Sequence, residues 1–369
     1  MNELKTIDIA RQYEEIKGEI WFAIKEVLEK QSFILGEQVE KLEKDFAKYC
    51  NVKYGVGCSS GTSALFLAIE ALELNKEAEI ITTPFTFIAT ASSIISANLK
   101  PVFVDIDEKT YNIDFNKIEK AITKNTKAII PVHLYGQPCD MKEIMESGKK
   151  HNLYVIEDCA QAHGALYKNQ KIGSFGIISC FSFYPGKNLG AYGDAGIILT
   201  SDEKIYDRLI LLRNHGRHTK YYHEIHGYNH RIDGIQAAVL NVKLKYLDKW
   251  NKRRREIAKL YNEYLKETDL ILPYEKEARE CVYHLYVVRH PKRDKIITEL
   301  KKHNIISAIH YNLPLHLQPC MKGLGYKKGD FPVAEKVADE VFSLPMFPEL
   351  KDEEVFYISD VLKKILKNL

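Results

Sequence analysis

The order of apolar and polar positions along the chain predicts alternating helices and strands. Residues 10–50 repeat apolar side chains at helical spacing, which predicts two amphipathic helices. Runs of β-branched and aromatic residues then alternate with helical stretches, at 54–58, 79–83, 101–106, 128–134, 153–158, 178–183 and 196–200. This alternation predicts an α/β fold with a mostly parallel seven-stranded sheet wrapped by helices.

The C-terminal part of the chain predicts a second, smaller domain. The chain has 369 residues, which exceeds the size at which one core usually keeps growing. A continuous helical pattern from Gly234 to Tyr264 would bridge the two domains. We therefore expect a large domain at 1–249, including the N-terminal helices, and an α+β domain at 250–369. Alternation around His310 predicts a strand in the smaller domain.

A lysine in a glycine-rich loop is the first candidate for chemistry. The strand-like run Ile177–Phe183 stops at Pro185, so Lys187 follows the carboxyl end of a strand. Open α/β sheets bind their ligands at that edge. A lysine in a loop is more often a solvated charge, so the interpretation depends on what accompanies it.

A carboxylate ends the preceding apolar run. Asp158 follows Leu153–Glu157, and polar residues come next. An aspartate at this position could also cap a helix. With Lys187, however, it forms the pair that pyridoxal phosphate requires, because an amine forms an imine with the cofactor and a carboxylate keeps its pyridine nitrogen protonated.

A turn of small residues supplies a candidate phosphate site. The segment Gly55–Leu65 reads as a short strand followed by a small-residue turn and a helix, where backbone N–H groups can approach a phosphate closely. The glycine spacing is G-x-G-x-x-x-G, one residue longer than the dinucleotide fingerprint, and no P-loop lysine follows. The spacing therefore disfavours an NAD-linked oxidoreductase.

Seven short motifs in register give the chain a family resemblance. It resembles the DegT-type sugar-nucleotide aminotransferases, a branch of the fold type I pyridoxal-phosphate enzymes, over essentially its whole length. The matching motifs are Ser60–Leu65, Pro84–Thr90, Val104–Asp107, Val132–Gly136, Glu157–Gly164, Ser182–Gly190 and Gly227–Arg231.

The resemblance implies a role for each site residue. Lys187 would bind the cofactor as a Schiff base and act as the acid-base catalyst, and Asp158 would hold the pyridine nitrogen. The other cofactor contacts would be Gln161 near the ring oxygen, Phe87 on the ring face, Gly61, Thr62 and Ser182 at the phosphate, and Asn229 reaching the phosphate from the neighbouring subunit of a homodimer. On the chain alone, Phe85 could be the stacking ring instead, and Asn229 could belong to an ordinary polar loop.

The resemblance also implies the reaction. Tyr184 stands where members acting at C4 of the sugar more often have histidine, and His310 and Tyr311 match a pair that faces the sugar. The expected reaction is transfer of an amino group from L-glutamate to C3 of a nucleotide-linked, dTDP-type 3-keto-6-deoxyhexose. The alternatives are a C4-acting aminotransferase, a sugar dehydratase, which would carry histidine in place of Lys187, and a non-catalytic regulator. His310 and Tyr311 would also suit a packed core.

Composition excludes several other classes. The 53 basic and 50 acidic residues give a net charge of +3, which does not suggest a nucleic-acid partner. The densest basic run, Lys252–Arg255, fits a solvated helix face. No stretch has the length of a membrane span or the pattern of a signal peptide, so we expect a cytoplasmic protein. The seven irregularly spaced cysteines fit reduced thiols and include no C-x-x-C pair, and no metal site is expected.

Overall fold

The computed structural model describes residues 3–369. Its strands are β1 (Tyr54–Cys58), β2 (Glu79–Thr82), β3 (Lys100–Phe103), β4 (Thr126–Ile129), β5 (Tyr154–Asp158), β6 (Leu166–Tyr167), β7 (Gln170–Lys171), β8 (Ile178–Ser182), β9 (Gly196–Thr200), β10 (Arg279–Glu280), β11 (Tyr286–Arg289) and β12 (Val341–Leu344). Its α-helices are α1 (Ile9–Lys30), α2 (Glu37–Tyr49), α3 (Gly61–Ala71), α4 (Ala89–Ser96), α5 (Phe115–Ala121), α6 (Met141–His151), α7 (Glu203–Arg213), α8 (Gly234–Leu244), α9 (Leu247–Leu265), α10 (Arg293–Lys302), α11 (Pro332–Glu340) and α12 (Asp352–Lys367).

The main sheet confirms the predicted α/β architecture. Its strand order is β1-β9-β8-β5-β4-β2-β3. Strand β9 runs antiparallel to β1 and β8, whereas β8, β5, β4, β2 and β3 are parallel. Because β1 and β8 point the same way, six carboxyl ends meet at one edge of the sheet, which is where this fold class binds ligands.

Apolar cores lie on both faces of the sheet. Alternate residues of a strand point to opposite faces, so Ile197 belongs to one core and Ile198 to the other. The first core also contains Phe46 of α2, and the second contains Leu67 of α3. The two amphipathic helices predicted within residues 10–50 are α1 and α2, and α1 packs on α8 through Ile20 and its neighbours.

The structure differs from two predictions, the continuous helical pattern from Gly234 to Tyr264 and the strand around His310. The pattern from Gly234 to Tyr264 is not one helix, because Tyr246 N donates to Lys243 O three residues back and so separates α8 from α9. The segment around His310 is not a strand. It makes a single bridge, Ala308 to Ser343, with Ser343 N donating to Ala308 O (2.8 Å), which is too little pairing to form a strand.

The C-terminal part has its own core. The antiparallel pair β11–β12 packs with α9, α10 and α12, around Tyr261, Tyr286 and Phe342. Leu4, near the chain start, joins this core, with Leu4 N donating to Asn304 O (2.8 Å). The boundary between 249 and 250 falls near the start of α9 and stays a prediction. None of the helices formed by residues 3–369 combines the length and hydrophobicity needed to cross a bilayer.

Candidate active site

A cavity of about 520 Å³ opens at the carboxyl edge of the sheet. Ten of the eleven predicted site residues line it: Gly61, Thr62, Phe87, Asp158, Gln161, Ser182, Tyr184, Lys187, His310 and Tyr311. They arrive from β1, β2, β5, β8 and the C-terminal part of the chain, so the fold brings together residues that are as much as 250 positions apart in the sequence.

Asp158 is fixed at the floor of this cavity. Its N–H donates to Pro131 O (2.9 Å), and its carbonyl accepts from His133 N (3.1 Å), which continues the pairing of β5 beyond β4. Its carboxylate accepts from Thr90 Oγ1 (2.8 Å) and from Ala160 N (3.2 Å). Burial raises the pKa of Asp158, and these two hydrogen bonds oppose the rise. A cation beside the carboxylate would further favour its ionised form.

A buried pair of side chains, His133 and Glu157, supports the end of β5 next to Asp158. Glu157 accepts three backbone N–H groups from the loop at 173–176, at 2.8 to 3.0 Å, and lies 3.2 Å from His133 Nε2. His133 Nδ1 accepts from Cys139 N (3.0 Å), so the ring proton is on Nε2 and points to Glu157. Cys159 lies close to both side chains. Because these His and Glu atoms are engaged in hydrogen bonds, we interpret the cluster as a structural support and not as a set of metal ligands.

Lys187 lies in the tight loop that follows β8. Its N–H donates to Tyr184 O (2.8 Å), and the loop closes at Gly190, where an added Cβ would lie 2.3 Å from Pro185 O. Burial lowers the pKa of Lys187 to about 8, because desolvation disfavours the ammonium form, while the charge of Asp158 opposes this. At pH 7 about a tenth of the amine is therefore unprotonated, compared with less than about a thousandth for an ordinary lysine.

The start of α3 has the shape and donors of a phosphate site. Ser60 caps the helix, with its Oγ accepting from Ser63 N (3.1 Å). The N–H groups of a first helical turn have no partner within the helix, and here the first two belong to Gly61 and Thr62. A Cβ at Gly61 would lie 2.5 Å from the Cβ of Ser182, so only glycine allows the turn to approach β8 this closely.

The two candidate stacking rings have different surroundings. Phe85 is fully buried and lies in an apolar cluster with Tyr111. Phe87 is 54% exposed, lines the cavity, and has its ring centroid 6.1 Å from that of Tyr311. Only Phe87 is free to contact a ligand, which supports it over Phe85.

Uncharged polar groups surround the mouth of the cavity. Tyr184 is 59% exposed there. His310 Nδ1 lies 2.8 Å from Ser343 Oγ, and burial lowers the pKa of His310 to about 4, so the ring is neutral. The hydroxyl of Tyr311 accepts from Gln161 Nε2 (3.1 Å), and Gln161 Oε1 accepts from Tyr135 N (2.7 Å). These contacts hold Gln161 and Tyr311 in fixed orientations.

Asn229 does not reach the cavity of its own chain. It is exposed and pairs with Asn214 through a backbone bridge. Sequence reasoning missed Thr90, which contacts Asp158, and His284, which also lines the cavity. Thr90 belongs to a recognised motif but carried no assigned role. His284 has no local signal, because it comes from a distant segment between β10 and β11.

Comparison with known proteins gives a consistent result. The family model "DegT/DnrJ/EryC1/StrS aminotransferase family" matches residues 14–363. A pleiotropic regulatory protein of Geobacillus stearothermophilus is 48% identical over 98% of both chains. A UDP-N-acetyl-3-dehydro-alpha-D-glucosamine 3-aminotransferase of Acidithiobacillus ferrooxidans is 44% identical over 98% of this chain and 97% of the relative. A dTDP-3-amino-3,6-dideoxy-alpha-D-galactopyranose transaminase of Aneurinibacillus thermoaerophilus is 44% identical over 97% of this chain and 98% of the relative.

A solved structure matches the whole fold. DesV from S. venezuelae, crystallised in complex with a ketimine intermediate, superposes with a TM-score of 0.98 at 38% identity over 100% of both chains. Related structures contain pyridoxal or pyridoxamine phosphate. The turn at Gly61, the buried carboxylate of Asp158 and the amine of Lys187 fit the phosphate, the ring nitrogen and the aldehyde of this cofactor. The chain therefore belongs to the DegT/DnrJ/EryC1/StrS aminotransferase family, as an enzyme that uses pyridoxal phosphate.

Proposed function

We propose that this enzyme transfers an amino group from L-glutamate to C3 of a nucleotide-linked 3-keto-6-deoxyhexose, with dTDP as the nucleotide. The observation that carries the proposal is the single cavity that contains Lys187, Asp158 and the start of α3. The choice of C3 is supported by two relatives at 44% identity, whose names both specify a 3-amino or 3-keto position although they differ in nucleotide.

The cofactor end of the cavity would carry out the proton transfers. When bound, pyridoxal phosphate supplies an aldehyde for imine formation and a ring that withdraws electrons from the substrate carbon. Lys187 has a pKa of about 8, so both its free amine and its ammonium form are accessible near neutral pH. An acid-base catalyst requires both forms, because it must accept a proton and then donate it. The carboxylate of Asp158 would face the ring nitrogen and favour its protonated form.

The open end of the cavity would bind the sugar. Hydroxyl-rich sugars are bound by hydrogen bonds from neutral polar groups and by apolar contact with aromatic faces. Tyr184, His310 and Tyr311 provide such groups without a positive charge. They would leave the keto carbon as the part of the sugar that reaches the cofactor end of the cavity, where Lys187 would move the proton. In this arrangement the sugar hydroxyls set orientation, and the lysine end carries out the reaction.

Lysine at position 187 favours amino transfer over dehydration. A dehydratase of the same fold would have histidine there. The relative that is 48% identical is named as a regulatory protein, so a non-catalytic regulator is the second candidate function. Adding L-glutamate alone to the holoenzyme distinguishes an aminotransferase from such a regulator. We expect the absorbance at about 420 nm, typical of a protonated imine of the cofactor, to bleach. A non-catalytic regulator would keep the band.

A panel of nucleotide sugars tests the acceptor. The holoenzyme is given L-glutamate with 3-keto and 4-keto hexoses linked to dTDP or UDP, and the position of the new amino group is read by NMR. We expect turnover with the dTDP-linked 3-keto sugar and an amine at C3. An amine at C4 would overturn the C3 assignment, and preference for UDP-linked sugars would overturn the choice of nucleotide only.

A further inference from the structure

The residue that follows Lys187 has an unusually well-defined side chain. Asn188 is buried, and its amide lies among three polar groups that come from α9 and from the segment leading into β11. Its Nδ2 is 2.9 Å from Asn251 Oδ1 and 3.0 Å from the carbonyl oxygen of Val282. Its Oδ1 is 3.2 Å from His284 Nδ1. The Asn188 side chain therefore connects the lysine loop to two other parts of the fold.

Two backbone carbonyls fix the direction of every hydrogen bond in this group. A carbonyl can only accept, so the atom of Asn188 that faces Val282 O must be the NH₂ group. Likewise, Asn251 donates its NH₂ to His163 O (2.7 Å), which leaves Asn251 Oδ1 to accept from Asn188. The Asn188 oxygen is then the atom that faces His284.

This orientation determines the tautomer of His284. Because Asn188 Oδ1 can only accept, His284 Nδ1 must carry a proton and donate it. A neutral ring then has its lone pair on Nε2. The backbone of His284 is held as well, with His284 N donating to Tyr135 O (2.9 Å). His284 lines the cavity, so the acceptor nitrogen belongs to the same site as Lys187.

We propose that Asn188 is a positioning residue that holds His284 as the neutral Nδ1–H tautomer, so that His284 Nε2 serves as a hydrogen-bond acceptor beside Lys187. The inference rests on the proposed role of Lys187. An acceptor at this place can orient an ammonium or a substrate hydroxyl, and a neutral ring adds no positive charge next to the lysine.

The surrounding charges favour the neutral ring. Burial is the largest cause that lowers the pKa of His284 well below its usual value, followed by the charges of Lys187 and Arg254. His310 and His163 also lie near the ring, and burial lowers their own pKa values to about 4 and about 3, so both are neutral near pH 7. Arg254 reaches the same segment from α9, where it donates to His284 O (3.3 Å). Asp158 also lines the cavity, and its negative charge acts on Lys187. Every cationic group that acts on His284 therefore opposes its protonation.

NMR of the ¹⁵N-histidine-labelled holoenzyme tests the tautomer directly. We expect one cavity histidine, assigned as His284 through the loss of its signal in His284→Gln, to show a protonated Nδ1 and an unprotonated Nε2 from pH 8 down to pH 6. A proton on Nε2, or protonation of both nitrogens within that range, would overturn the proposal. This measurement needs only the wild-type protein and one variant used for assignment.

An isosteric variant tests the consequence. Asn188→Leu removes the acceptor for His284, and we expect kcat for amino transfer to fall by about tenfold while the cofactor band is retained. The matched control is Asn241→Leu, a buried asparagine that donates to Gln38 O (2.9 Å) away from the cavity. Equal losses in the two variants, or an unchanged His284 tautomer in Asn188→Leu, would refute the positioning role. A wild-type protein without a cofactor band would instead refute the proposed role of Lys187.

Discussion

Two buried lysines of this protein have similarly lowered pKa values, but only one of them lies in the active-site cavity. Burial lowers the pKa of both Lys187 and Lys243 to about 8. Lys243, on α8, has no solvent-exposed surface, donates to Gly190 O (2.7 Å) and lies 4.5 Å from the Tyr192 ring centroid. Lys187 opens into a cavity with a carboxylate beneath it. A perturbed pKa therefore does not identify the site, whereas the surrounding geometry does.

The largest expected effect separates the two lysines directly. Lys187→Met should lower amino transfer by about 10²–10⁴-fold, the contribution of a positioned acid-base group, and should remove the cofactor band at about 420 nm. Lys243→Met should keep the band and lose less than about tenfold, because it removes one hydrogen bond to the lysine loop. Steady-state rates and absorbance spectra check both. A band lost in Lys243→Met but kept in Lys187→Met would reverse the assignment.

The carboxylate near Lys187 is the next difference to test. Asp158→Asn keeps the shape of the side chain but removes its charge, and we expect turnover to fall by about 10²-fold, the order seen when one electrostatic contact to a reacting group is lost. Asp105→Asn is a matched control, since Asp105 is also buried but accepts from Ala334 N (3.0 Å) outside the cavity. Rates for the two variants are compared at equal cofactor saturation. Similar losses would show that Asp158 acts only through folding.

The phosphate turn is a third feature that the Lys243 region lacks. Gly61→Ala places a Cβ 2.5 Å from the Cβ of Ser182, so the turn or β8 must shift. We expect the cofactor dissociation constant to rise by about tenfold, equivalent to about 1.4 kcal/mol. Gly18→Ala is the control, because a Cβ there meets no atom within 4 Å and the residue lies inside α1. Fluorescence titration with pyridoxal phosphate measures both, and unchanged affinity in Gly61→Ala would remove the turn from the cofactor site.

Local signals in the sequence predicted the parts of the site that lie directly after strands. Asp158, Ser182 and Lys187 end or follow β5 and β8, and the strand patterns located them because period and turn residues are properties of short segments. His284 and Thr90 were missed because their contacts depend on how distant segments pack. The break between α8 and α9 was missed for a related reason. The change of hydrogen bonding at Tyr246 leaves the apolar spacing of Gly234–Tyr264 almost unaltered, so the sequence pattern does not show it.

The two lysines should also share a pH dependence of folding. In the protein without cofactor, each lysine has a pKa near 8 when folded and 10.5 as an ordinary side chain, so between these values the unfolded chain binds more protons. The free energy of unfolding therefore gains a rising contribution from pH 8 to pH 10.5, at most about 1.4 kcal/mol per pH unit for each lysine.

Buried tyrosines and cysteines, whose pKa values are raised, act in the opposite direction over part of this range, so the quantity to measure is the difference between variant and wild type. Urea unfolding of Lys187→Met and Lys243→Met at pH 7.5, 8.5 and 9.5 should show that each variant loses one rising contribution. The free energy of unfolding of each variant minus that of the wild type should therefore fall as the pH increases. If only Lys243→Met behaves in this way, Lys187 keeps its ordinary pKa in the protein without cofactor, and burial does not act equally on the two lysines.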